Sequence, residues 1–83
     1  MNKNEFVTAD LYLAAAISIL LKSPPTFKVE KGKTLFLFPT SDRLFKAMTD
    51  FHNGKQLNAY EYSLIIKRLR AEMLIRRNGE VGK

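Results

Sequence analysis

Cysteine is missing from the 83 residues of this chain, which excludes a disulfide framework, a thiolate zinc site and a cysteine nucleophile. A reducing compartment fits, and the cytoplasm is the expected location. Histidine is nearly missing too. His52 stands alone, so no two-histidine metal site and no Cys/His pair can be assembled within one chain. Close to the end of a helical stretch, it is expected to meet terminal carbonyls or solvent. Glycine is sparse, and its four positions, 32, 54, 79 and 82, match neither G-x-x-x-x-G-K-[ST] nor G-x-G-x-x-G. With no such spacing to cradle a phosphate, nucleotide hydrolysis is not expected.

Long hydrophobic runs are absent as well. The stretch Leu11 to Leu21, interrupted only by Ser18, covers eleven residues, against about 20 needed to cross a bilayer. It is not expected to serve as a signal peptide either: Glu5 and Asp10 dilute the positive start, and Ser23-Pro24-Pro25 offers no small-x-small cleavage site. Acidic residues are few, eight against fourteen Lys and Arg, which leaves a net charge of +6. Those carboxylates are scattered among bases that keep them ionised, so Asp42, Asp50, Glu61 and Glu72 read as salt-bridge partners rather than poised acids. No catalytic residue, metal site or cofactor is expected, and the chain reads as a non-enzyme.

What is present suits one small domain. Hydrophobic residues make up 46% and charged residues 27%, close to globular averages, with no internal repeat and no low-complexity tract. Phe6-Val7-Thr8 reads as a short strand, and Thr8 or Asp10 can cap the helix that follows to about Lys22. Apolar residues cover every face of that helix, so it should pack on more than one side. Ser23-Pro24-Pro25 stops it, because proline has no amide donor and disfavours helical geometry in its predecessor.

Alternation over Thr26 to Glu30 predicts a strand, and Lys31-Gly32-Lys33 a hairpin turn into a second strand, Thr34 to Phe38. Leu35, Phe36, Leu37 and Phe38 are apolar on both faces, which marks the second strand as central. After Pro39, Thr40 or Ser41 caps a second helix with Leu44, Phe45, Met48 and Phe51 as its buried stripe, closing at Asn53-Gly54. Asn58 and Glu61 form a capping box for a third helix reaching about Asn78, with Gly79 ending it. The expected fold is α+β, a three-stranded, mainly antiparallel sheet with three helices in β-α-β-β-α-α order. Residues 5–78 form its ordered core and 79–83 a frayed tail.

The third helix carries "KRLRAEMLIRR", residues 67–77, with five of the fourteen bases. At about 100° per residue, Tyr62, Ile66, Leu69 and Met73 share one side, its seat on the core. Leu64, Ala71 and Ile75 fall nearly opposite, either under the first helix or at a self-association surface. Lys67, Arg70 and Arg77 line one flank, while Arg68, Glu72 and Arg76 make an i, i+4 ladder down the other. The division of bases tells against a recognition helix, which concentrates polar and basic groups on its exposed face. Phe27, Phe36 and Phe38, with Lys28, Lys31 and Lys33 close by, could form a platform for stacked bases. Aromatics alternating along a strand are more often core.

The opening "FVTADLYLAAAISILL", a Lys/Gly hairpin into "TLFLFP", and "FHNGKQLNAYEYSLIIKRLRAEM" resemble a family of small domains of unknown function from bacteria, their phages and mobile elements. The features that carry the resemblance are Phe6-x-Thr8-x-Asp10-Leu11-Tyr12-Leu13-Ala14-Ala15, the strand ending at Phe38-Pro39, the helix end Phe51-x-Asn53-Gly54, and an aromatic-rich third helix with a basic Arg-x-Leu-x-type run. They span most of residues 5–75, and the first is the most specific. The resemblance implies a phage or mobile-element accessory protein and supplies no activity to carry over.

Two functions follow from the residues. One is a binding module contacting nucleic acid or an acidic protein through Lys67, Arg70, Arg77 and the hairpin lysines 28, 31 and 33. The other is a self-associating domain that forms a homodimer through Leu64, Ala71 and Ile75, with no nucleic-acid role. No membrane contact is expected.

Overall fold

A computed structural model describes residues 4–81. The elements are β1 (Glu5–Thr8), α1 (Leu11–Leu21), β2 (Thr26–Glu30), β3 (Lys33–Pro39), α2 (Asp42–His52) and α3 (Ala59–Val81). The strands form one antiparallel sheet in the order β1-β3-β2, so the most apolar strand is the central one, as its composition predicts.

Local chemistry sets the element boundaries. Asp10 caps α1 by accepting from the amides of Tyr12 and Leu13 through Oδ1, while Thr8 Oγ1 accepts from the Asp10 amide, so both residues of the opening motif fix one helix start. Ser41, not Thr40, caps α2 by accepting from the Leu44 amide; the Thr40 hydroxyl instead donates to the Asn4 carbonyl. Asn58 Oδ1 accepts from the Glu61 amide and starts α3. The hairpin between β2 and β3 is a two-residue loop with positive φ at both Lys31 (52°) and Gly32 (76°), the type I′ geometry that matches the twist of its strands.

All three helices lie on one face of the sheet. In the register, Phe27, Phe36, Phe38 and Thr34 turn toward them, and Phe36, Phe38 and Thr34 are buried. The opposite face, with Val7, Leu35 and Leu37 along its middle, is left uncovered by helices. The double-sided apolar pattern of β3 thus marks the sheet centre without a second helical layer. α1 lies between α2 and α3, and its Ala14, Ala15, Ala16 and Ile17 are wholly buried because alanine lets neighbouring backbones close in.

Two sequence expectations are corrected. On α2 the buried pair is Leu44 and Ala47, supported by Met48 and Phe51, whereas Phe45 is 53% exposed. A step of about 100° carries Phe45 off the stripe that Leu44 begins. Gly79 does not end α3, which runs on to Val81; one helical glycine costs only about 1 kcal/mol. The remainder of the expected tail, 82–83, lies outside the described residues. Among the described residues no helix is long and apolar enough to cross a membrane.

Candidate functional site

The core side of α3 follows its helical spacing. Leu69 is buried, and Tyr62, Ile65, Ile66 and Met73 pack around the core formed with α1 and the sheet. Two polar bonds fix the orientation. The Tyr62 hydroxyl donates to the Tyr12 carbonyl at 3.0 Å, and the Thr34 hydroxyl donates to the Met73 carbonyl at 3.3 Å. Burial, with the nearby charge of Asp10 and then Tyr12, raises the Tyr62 phenol above its ordinary value of 10.0.

Seating α3 this way settles what covers its other apolar side. Leu64 is 44% and Ile75 66% exposed, and Ala71 is exposed between them, so the stripe is left largely open; α1 comes alongside it only at Leu64, across a groove with Ile19 and Lys22. Leu74 and Tyr60 extend the same open surface.

The bases divide three ways. Lys67, Arg70 and Arg77 are exposed, and the Arg70 guanidinium donates to the Tyr12 hydroxyl at 3.4 Å, tying the flank of α3 to the start of α1. Tyr12, itself 52% exposed, therefore belongs to the basic flank. Of the ladder on the other flank only Arg76 to Glu72 closes, at 3.1 Å, and Arg76 also lies 4.4 Å from the ring centre of Phe27 as a cation–π contact. Arg68 instead faces the end of α1 beside Lys22.

The hairpin lysines form a separate group. Lys28 and Lys33 share the open face of the sheet, and Lys31 occupies the turn. Lys28 pairs with Glu30 at 2.9 Å, and that hydrogen bond and charge hold its ammonium above the ordinary lysine value. The sheet separates Lys28 and Lys33 from Lys67 and Arg70, which leave from the helix layer.

Phe27, Phe36 and Phe38 do not present a stacking surface. Phe36 and Phe38 are buried beneath the helices, and Phe27 meets Phe36 edge-on at 5.7 Å under the Arg76 guanidinium. The open sheet face carries no aromatic side chain. His52 ends α2 exposed, its ring 5.7 Å from that of Phe51. No group of His, Asp and Glu side chains suited to a metal ion occurs among the described residues. These features define a two-layer α+β domain whose distinctive surface is the outward side of one long helix.

Comparison with family models, with curated proteins and with solved structures found no match to this chain.

Proposed function

We propose that this chain is a non-enzymatic binding module that engages an acidic partner through the outward side of α3. The observation that carries the reading is the distribution of charge. Glu30, Asp50 and Glu72 pair with Lys28, Lys46 and Arg76, while Lys67, Arg70 and Arg77 have no ion-pair partner among the described residues. A partner with carboxylates or phosphates is drawn to such a surface by long-range attraction that salt weakens.

Between nucleic acid and an acidic protein, the exposed Leu64, Ala71 and Ile75 favour the protein. An apolar stripe bordered by bases suits an acidic amphipathic surface better than a sugar–phosphate backbone. The resemblance of the opening motif supports a phage or mobile-element accessory role, and the lack of cysteine supports a cytoplasmic one. The test is binding to an acidic protein domain and to a single-stranded oligonucleotide as salt is raised. Affinity that falls with salt and collapses in Lys67→Glu with Arg70→Glu supports the module; no binding of either probe at low salt discards it.

Self-association through the same stripe is the second reading, favoured by the exposure of Leu64 and Ile75. Sedimentation over a wide concentration range decides the matter: a persistent monomer eliminates the dimer.

A further inference from the structure

A groove between the end of α1 and α3 brings Leu64 and Arg68 together with side chains of α1. It consists of two lobes of about 260 and 460 Å³ that share Ser18, Lys22, Ile65 and Arg68, so they are one continuous depression. Pro24 and Pro25 wall the smaller lobe over Ile65 and Leu69, and Ile19 and Leu64 line the larger one. Lys22 and Arg68 stand exposed on the rim, with no ion pair among the described residues. Glu61, at one end, is the only carboxylate in the lining.

Lys22 is held there by backbone geometry. It is the left-handed residue that closes α1, with φ of 56°; its amide donates to the Ile19 carbonyl and the Ser23 amide to the Ser18 carbonyl. Glycine adopts that conformation more readily than lysine. The chain therefore places a long cationic side chain at a strained backbone position, beside an apolar floor and a second cation.

We propose that this groove seats an acidic amphipathic peptide segment of a partner protein. Its apolar side chains lie on Ile19, Leu64 and Ile65, and its carboxylates meet Lys22 and Arg68. The inference rests on the acidic-partner reading and adds a second contact area, next to the Lys67 flank, that defines the shape of the partner. The apolar floor leaves a polynucleotide without phosphate contacts along most of the groove, and no aromatic lines it for base stacking. A second copy fits poorly, because none of the chain's helices is both acidic and amphipathic.

The experiment titrates the isotope-labelled 83-residue chain with the peptide Glu-Leu-Leu-Glu-Glu-Leu-Leu-Glu, alongside an oligonucleotide of equal charge. Amide shifts are expected at Ser18, Ile19, Lys22, Ile65 and Arg68. Lys22→Glu with Arg68→Glu should weaken the peptide by roughly tenfold or more. Lys22→Gly should also weaken it while raising Tm by a few degrees, which separates loss of the ligand contact from loss of the fold. Shifts confined to Lys67, Arg70 and Arg77 overturn the groove and leave the basic flank standing. Displacement of the peptide by the oligonucleotide from the groove also overturns it. Absence of binding by both probes removes the acidic-partner reading as well.

Discussion

α1 and α3 each carry apolar side chains on more than one side, yet α1 buries far more of them. α1 occupies the middle of the helix layer, with the sheet beneath it and α2 and α3 at its sides, and four of its consecutive residues are wholly buried. α3 lies at the border of that layer. It turns Leu69 inward and leaves Leu64, Leu74 and Ile75 in solvent. Apolar content alone does not measure burial; the number of neighbours an element can reach does. Where a border helix keeps an apolar second side, that side is available for a partner.

Substitutions can break or sharpen this contrast. The largest effect is expected at the centre: Ile17→Ala should cost about 2–5 kcal/mol in urea unfolding, because the cavity sits among elements that cannot all collapse into it. A cost under about 1 kcal/mol would show α1 to be less enclosed than described. Next is the helix start, where Asp10→Ala removes the acceptor for two amides and should cost about 0.5–2 kcal/mol.

Tyr62→Phe, at the seam between the two helices, should cost about 0.5–1 kcal/mol through the lost bond to the Tyr12 carbonyl. It should also change the alkaline response. The folded phenol titrates above its unfolded value of 10.0, so the folded state keeps the proton longer. That contribution is complete below the unfolded value and is lost as pH rises through the folded one. Stability measured across alkaline pH should therefore fall less steeply in Tyr62→Phe than in the parent. The smallest effect is expected at the border: Ile75→Ser should stay within about 0.5 kcal/mol. A loss approaching that of Ile17→Ala, dependent on protein concentration, would mean that a second copy covers the stripe.

Much of the fold was legible because its signals are local. The alternation of Thr26 to Glu30, the Lys31-Gly32 turn, the proline stop after Ser23 and the caps at Asp10, Ser41 and Asn58 each act within a few residues. The candidate site was legible only in part. Helical spacing correctly separated the core side of α3 from Leu64, Ala71 and Ile75, but could not say whether α1 reached the latter. The contacts of Arg70 with Tyr12 and of Arg76 with Phe27 join residues far apart in the chain, and no spacing rule reports them. Lys22 looked like an ordinary helix end; only the approach of α3 made it a neighbour of Arg68.

By itself, then, the amino-acid order determined the element types, their order, the central place of β3 and the surplus of positive charge, because backbone sterics, capping and hydrophobic period are properties of short segments. Only the tertiary structure decided that one sheet face stays open, that the hairpin lysines lie apart from Lys67 and Arg70, and that a groove with a cationic rim forms between α1 and α3. Those outcomes depend on which helices reach which surfaces, and that is settled when distant segments compete to bury apolar area.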